Sequence, residues 1–249
     1  MGTRERIDKL LVTRGLVTSR EAGRARLLAG EVLVDDQPVT KVGSLVDAGA
    51  VIRFKSSPTP FASRGGVKLA KALQEFNVNV GGRIAVDVGA STGGFTDCLL
   101  QHGAARVYAV DVGYGQLDWK LRNHPRVVVF EKTNIRYLDV RSLPSRVNLA
   151  TIDVSFISLK LVLPAVKTLL EREAEVVALI KPQFEVGKGR VGKGGVVRSP
   201  EEHRRVVEEI ENAAARLDFQ RHGVIESPLL GPKGNKEFLI HLSLSERSD

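Results

Sequence analysis

Cysteine occurs only once in the 249 residues, at Cys98, so no disulfide can form within the chain and a reducing compartment suits it. No partner base for Cys98 is evident, and ordinary packing fits it better than nucleophilic work. The five histidines, His102, His124, His203, His222 and His241, are scattered without ligand spacing of the H-x-x-x-H type, which argues against a metal site. No apolar run approaches the roughly twenty residues of a membrane span. The N-terminus opens Met-Gly-Thr-Arg-Glu-Arg with no apolar signal core behind it, so a soluble, cytoplasmic protein is expected. Internal repeats and low-complexity tracts are absent as well.

What the chain does have is positive charge. Its 37 Lys and Arg outnumber 29 Asp and Glu, giving a formal charge of +8 and a pI of about 9.7. A polyanion is the natural partner, nucleic acid ahead of an acidic membrane. Length allows one sizeable core plus a small appendage.

The appendage is read at residues 1–55. Arg6 to Arg14 predicts a helix with Ile7, Leu10 and Leu11 on one face, closed by Gly15. Thr18 and Glu21 have capping-box spacing and open a second helix running to Leu28. On it Arg20 and Arg24 share an outer face while Ala22, Ala25 and Leu28 turn inward. Val32–Val34 and Val51–Phe54 read as strands, with a polar turn at Asp35–Pro38. The first thirty residues hold seven Lys or Arg against three acids, so the positive excess is concentrated here, although a merely solvated face would also carry arginines. Arg6-Ile-Asp-Lys-Leu-Leu, Ser19-Arg-Glu-Ala and Leu28 to Val39 resemble the small RNA-binding fold named after the fourth small-subunit ribosomal protein. Ser56-Ser-Pro-Thr-Pro60 has linker composition, which places a linker at 56–62 and a second domain at 63–249.

The second domain is organised around Ile84 to Leu100, a β-branched apolar run, a glycine turn and the start of a helix. The turn, Asp87-Val-Gly-Ala-Ser-Thr-Gly-Gly, is not the G-x-G-x-x-G of a dinucleotide site, which argues against NAD. The next strand, Arg106–Val112, carries Asp111 about twenty residues on, where a carboxylate can accept both hydroxyls of a ribose. Acid, glycine turn and second acid suggest S-adenosylmethionine, against the plainer reading of a tight turn in an unrelated α/β sheet. Further strands at 127–130, 147–152, 176–180, 224–225 and 238–242, with helices at 159–170 and 200–217, imply a mostly parallel sheet covered on both faces.

Gly187-Lys-Gly-Arg-Val-Gly-Lys-Gly194 nearly matches the phosphate loop of ATPases. It fails at Gly194, which has no hydroxyl for magnesium, and no helix follows; a basic loop beside the active site, or a plain surface loop, remains. Asp153 and Lys181 each stand where an apolar strand ends, the place at which open α/β sheets bind ligands; taken singly they read equally well as a helix cap and a solvated end.

Ser63-Arg-Gly-Gly-Val-Lys-Leu69, Asp87 to Phe95, Ile152-Asp-Val-Ser-Phe156, Ile180-Lys-Pro-Gln-Phe-Glu185 and Gly234-Asn-Lys-Glu-Phe238 together resemble the TlyA-type rRNA methyltransferases, often labelled haemolysins, over nearly the whole chain. The resemblance implies a Rossmann-like S-adenosylmethionine-dependent, FtsJ-like methyltransferase sheet behind a small α+β RNA-binding domain. It implies a catalytic set of Lys68, Asp153, Lys181 and Glu237, and cofactor contacts at Asp87, Gly89, Ser91, Gly93, Asp111 and Asn134. RNA contacts are expected at Arg4, Arg6, Arg20, Arg24 and Arg64, with ribosomal RNA or ribosomal subunits as partner and the target ribose that of a cytidine. A ribose 2′-hydroxyl is a poor nucleophile at neutral pH and must share or lose its proton as it attacks. Neighbouring lysines lower each other's basicity and adjacent carboxylates oppose that, so Lys181 reads either as a base or as a stabiliser of the developing alkoxide. The alternative is a non-enzymatic ribosome-binding or assembly protein with a vestigial methyltransferase fold, against which four intact polar positions speak. A pore-forming haemolysin is disfavoured by the lack of spans and of a signal core. Oligomeric state is open, a monomer being compatible.

Overall fold

The computed structural model describes residues 3–17, 19–54, 59–187, 190–192 and 194–244. The chain divides into two compact units, Met1–Pro58 and Thr59–Asp249. Residues 56–58 of the expected linker 56–62 lie outside the described residues.

In the first unit the helices Ile7–Thr13 and Arg20–Leu28 pack on a three-stranded antiparallel sheet in which Val32–Val34 lies between Gln37–Pro38 and Ile52–Phe54. Ile7, Leu11 and Leu27 meet Val32, Val34 and Ala50 in its core. The second helix is capped by Ser19, whose Oγ accepts from the Ala22 amide at 3.2 Å; Thr18, the expected cap, lies outside the described residues. The inward stripe of that helix is Gly23 and Leu27, whereas Leu28 is 63% exposed and Ala25 is also exposed. Gly23 is what turns it, since even a methyl there would touch both Leu11 and Val17, so the helices approach through the glycine and the buried face moves by one residue. The polar turn closes tighter than expected. Asp35 and Asp36 both take positive φ, and Gln37–Pro38 then pairs back on Val32–Val34 as a hairpin. A further pair, Arg4–Arg6 with Leu45–Asp47, has no apolar alternation to announce it.

The second unit is a seven-stranded sheet. In chain order its strands are β1 (Ile84–Val88), β2 (Arg106–Val110), β3 (Val127–Phe130), β4 (Val147–Ile152), β5 (Leu170–Ile180), β6 (Phe219–Glu226) and β7 (Phe238–Leu244), and across the sheet they run β6-β7-β5-β4-β1-β2-β3. β1 to β5 pair in parallel, while β7 lies antiparallel between β5 and β6. The helices are α1 (Gly65–Glu75), α2 (Gly94–Gln101), α3 (Trp119–Arg122), α4 (Leu159–Leu169), α5 (Pro182–Glu185) and α6 (Pro200–Ala215).

One apolar cluster joins α1 and α2 to the sheet through Leu69, Leu73, Phe95 and Leu99. Another joins α4 and α6 through Val162, Leu163, Val206 and Ile210. A three-layer α/β/α sandwich results, built because strands buried on both faces must be apolar throughout. Cys98 is part of the first cluster, fully buried, and burial pushes its thiol well above the ordinary range. Ser199 caps α6, its Oγ accepting from the Glu202 amide at 3.2 Å. Because β1, β2, β4 and β5 are parallel, the residues that follow them gather on one rim of the sheet.

Candidate active site

Four strand ends supply the rim. After β1 the chain turns at once, and Gly89 makes the turn possible: its φ is +85°, and a Cβ there would stand 2.5 Å from the Asp153 carbonyl oxygen. The β1 and β4 loops therefore touch backbone to backbone. β2 ends at Val110, one residue short of Asp111. Asp111 Oδ2 accepts from the Ser91 amide at 2.8 Å and Oδ1 from the Gly113 amide at 2.7 Å. That fixes the carboxylate at the end of the glycine turn and leaves each oxygen further lone-pair capacity.

Two clefts open on this rim. The larger, about 750 Å³, is lined by Gly89, Ser91, Asp111 and Asn134 and by apolar side chains including Ile135, Ile157 and Leu161. It combines a carboxylate, exposed glycine-turn backbone and an apolar wall, the donor and acceptor set that a nucleoside with a charged tail requires. Asn134 caps the 3₁₀ turn Ile135–Tyr137 through its Oδ1, which accepts from the Arg136 amide at 3.1 Å, leaving the amide NH₂ to donate. The smaller cleft, about 510 Å³, is walled by the segment Ser63–Lys68, the glycine turn, Asp153, Lys181 and the turn Leu230–Lys233. Gly89, Ser91, Asp153 and Ser155 line both.

At that junction stand two lysine–carboxylate pairs. Lys181 Nζ lies 2.6 Å from Asp153 Oδ1 and 2.9 Å from Ser155 Oγ. Lys68 Nζ lies 2.5 Å from Glu237 Oε2, on a carboxylate whose side chain is wholly buried. Glu237 Oε1 has no hydrogen-bond partner among the described residues. Lys68, Asp153 and Lys181 reach the cleft surface and Glu237 stands directly behind Lys68.

The FtsJ-like methyltransferase model matches residues 61–244, and the S4 domain model matches residues 5–52. This chain belongs to the FtsJ-like methyltransferase family. It is 48% identical to the 16S/23S rRNA (cytidine-2′-O)-methyltransferase TlyA of Mycobacterium tuberculosis, over 97% of this chain and 91% of the relative. It is 38% identical to Hemolysin A of Brachyspira hyodysenteriae, over 95% of this chain and 98% of that protein. A solved structure of a hemolysin-labelled protein from Streptococcus thermophilus superposes with a TM-score of 0.77 at 42% identity, covering 99% of this chain and 90% of the other.

Within this FtsJ-like domain, two of the residues expected at the cofactor, Asp87 and Gly93, line neither cleft. Asp87 is fully buried beneath the glycine turn and lines neither cleft. Its Oδ2 accepts from Thr96 Oγ1 at 2.7 Å and its Oδ1 from Thr151 Oγ1 at 3.3 Å, so it ties the start of α2 to β4. Burial raises its pKa to about 7. Gly93, with φ +94°, faces Leu117 and Leu121 and shapes the turn from behind. Gly89, Ser91, Asp111 and Asn134 do reach the larger cleft, and Arg64 reaches the smaller one.

Of the four arginines of the first unit expected to contact RNA, Arg6 and Arg20 converge on one buried carboxylate. Arg6 Nε lies 2.9 Å from Asp8 Oδ1 and Arg20 NH2 lies 2.6 Å from Oδ2. Those two hydrogen bonds, Arg6 first, hold Asp8 well below the usual carboxylate range. Arg4 and Arg24 are exposed on the same unit.

Several residues gain a place that sequence reading did not give them. Ser155 is the second partner of Lys181. A Cβ on Gly231 would stand 2.0 Å from Glu237 Oε1, so this turn must be glycine for the Lys68–Glu237 pair to fit. Phe156, 90% exposed at φ +64°, packs its ring 4.9 Å from that of Phe184 at the mouth of the larger cleft. Glu185 accepts from Ser158 Oγ at 2.5 Å and from the Leu159 amide at 2.8 Å, capping α4 from another element. Ser155, Phe156 and Glu185 stand within the stretches Ile152–Phe156 and Ile180–Glu185 that carry the resemblance. Within those stretches only Asp153 and Lys181, each at a strand end, had a positional reason to be singled out.

Proposed function

We propose that this protein transfers the methyl group of S-adenosylmethionine to the ribose 2′-hydroxyl of a cytidine in ribosomal RNA. The observation that carries the reading is the junction of the clefts: Asp153, Ser155 and Gly89 belong to both, and Lys181 points its ammonium group at the shared wall. A donor in the larger cleft and an acceptor in the smaller one would meet there. Gly89, Ser91, Asp111 and Asn134 would hold the donor, Asp111 through its remaining lone pairs to ribose hydroxyls. S-adenosylmethionine, when bound, supplies an electrophilic methyl on a sulfonium. The remaining work is done by side chains.

Lys181 pairs its charge with Asp153 and donates a hydrogen bond to Ser155, which leaves donor capacity on the ammonium for the incoming hydroxyl. It thereby orients that oxygen and stabilises negative charge as it develops. Lys68, braced by buried Glu237, presents a second cation to the same cleft. Arg4, Arg6, Arg20 and Arg24 would hold RNA phosphates at the S4 domain. No helix among the described residues is long and apolar enough to cross a membrane, and a cytoplasmic location, where ribosomes are made, follows from the activity proposed.

The test is a single-turnover methylation assay on unmodified ribosomal subunits with Lys181→Ala. Methyl transfer is expected to fall by at least a hundredfold while cofactor and RNA affinities stay within about twofold. A variant that keeps a near-normal chemical rate removes Lys181 from the reaction, and a wild-type protein that methylates no ribosomal RNA removes the function itself.

A further inference from the structure

The smaller cleft is lined by four cations. Lys181 has Asp153 and Lys68 has Glu237, so these two charges are balanced where they stand. Arg64 and Lys233 have no carboxylate partner among the described residues, and no acid other than Asp153 lines the cleft. Two exposed side chains whose charge no carboxylate balances therefore line a cleft of about 510 Å³. Unbalanced charge in a concave site is a standing attraction for an anion.

The position of Lys233 is also not accidental backbone geometry. Its φ is +59°, a left-handed conformation that a lysine adopts only when its surroundings impose it. They do so through Asn235, which is buried. Asn235 Oδ1 accepts from the Val197 amide at 3.0 Å, and its Nδ2 donates to the Gly195 and Pro232 carbonyls, each at 3.0 Å. The Gly231 amide donates back to the Asn235 carbonyl at 2.8 Å. The turn that carries Lys233 is thus closed on itself, stapled to residues 195–197, and pressed against Glu237 through Gly231.

We infer that Lys233, together with Arg64, forms a phosphate-binding subsite for the phosphodiester that flanks the target ribose. The inference rests on the methyltransferase reading and sharpens it. A ribose 2′-hydroxyl sits on the carbon next to the one whose oxygen carries the 3′-phosphodiester. A hydroxyl held at Lys181 therefore brings a phosphate into the same cleft, with non-bridging oxygens to be met by donors. Lys68 and Lys181 are engaged with carboxylates, and Lys233 and Arg64 are the cations free to meet them. The guanidinium supplies a paired-donor face and the ammonium a point charge.

Lys233→Gln and Lys233→Arg, made in the full chain, test it with unmodified ribosomal subunits and labelled S-adenosylmethionine. For Lys233→Gln the KM for subunits is expected to rise about tenfold, the size of one lost charged hydrogen bond, with a smaller change in the saturated rate. The dependence of RNA binding on salt is expected to flatten by somewhat under one unit of logarithmic slope. Lys233→Arg restores both. Cofactor titration stays at the wild-type value, because Lys233 does not line the larger cleft, and so reports that the fold is intact. A Lys233→Gln protein with wild-type KM and wild-type salt slope overturns the subsite while leaving the methyltransferase reading standing. A wild-type protein that transfers no methyl group to RNA sinks both.

Discussion

A single methylene decides the geometry behind Lys68. Gly231→Ala would drive its Cβ into Glu237 Oε1, which is buried and cannot retreat into water. Methylation is expected to fall at least tenfold while S-adenosylmethionine binding, proposed for the other cleft, is kept; a fully active Gly231→Ala protein would mean that the Lys68–Glu237 pair tolerates displacement. Asp87 makes a second prediction at this scale, through pH. Its pKa is raised to about 7 when folded, against about 3.8 for the ordinary group, so the folded state holds a proton that the unfolded chain has lost between those values. Stability from this group is full below pH 4 and drains away as pH rises through 7. Asp87→Asn cannot ionise, so its melting temperature relative to wild type is expected to climb from pH 4 to 7 and level off above; a difference independent of pH would show that Asp87 is charged in the folded protein. These residues also mark what was legible. Lys68, Asp111, Asp153, Lys181 and Glu237 could be named because they are chemically conspicuous in recognisable stretches. Gly231 could not, since its meaning is a close approach to the Glu237 side chain, just ahead of β7. Asp87 was conspicuous as an acid beside a glycine turn, but its bonds to two threonines beneath that turn could not be read from its position.

Between residue and domain, the piece that organises the site is the loop from Asp153 to Ser158. It is gripped at one end by Lys181, which holds Asp153 and Ser155, and at the other by Glu185, which holds Ser158 and the Leu159 amide. Both grips come from one five-residue turn after β5, so that turn sets the wall shared by the two clefts. Burial raises the Glu185 pKa above the ordinary range, and the two hydrogen bonds oppose the rise. Glu185→Ala leaves the donors of Ser158 and Leu159 without their partner and is expected to cost about 1–3 kcal/mol of stability. Cofactor affinity should fall with it, because Phe156 and Ile157 line the larger cleft; Glu185→Gln, which keeps one acceptor, should fall between. Loss of stability with cofactor affinity untouched would confine Glu185 to helix capping. Element positions were readable where apolar runs are uninterrupted, as in β1, β3 and β4. β5 was read short, at residues 176–180, because Glu171, Arg172 and Glu173 break the pattern; the chain nonetheless extends back to Leu170 through a register shift with Glu173 at φ +59°. The 3₁₀ turns after β3 left no periodic trace at all.

At the scale of the whole chain, charge and architecture divide the labour between the S4 and methyltransferase units. Seven Lys or Arg against three acids in the first thirty residues give the S4 unit its share of the +8. Structure refines which of them count. Arg6 and Arg20 are oriented by Asp8 and partly neutralised by it, whereas Arg24 has no ion pair among the described residues. Arg24→Ala is therefore expected to flatten the salt dependence of RNA binding by more than Arg20→Ala does, each by less than one unit of logarithmic slope. Helical RNA hides its bases in a narrow groove, so a small domain gains affinity by tracking phosphates and shape. A ribose inside a helix must also be turned out of its stack, at a cost of a few kcal/mol that remote phosphate contacts can offset. Removing residues 1–58 should then leave S-adenosylmethionine binding intact, since both clefts lie wholly in the second unit, and should abolish methylation of ribosomal subunits. Titration calorimetry on the truncated protein and methyl incorporation into subunits measure the two halves separately. Full methylation by residues 59–249 would place substrate choice in the methyltransferase unit itself, with the cleft cations as its only anchor.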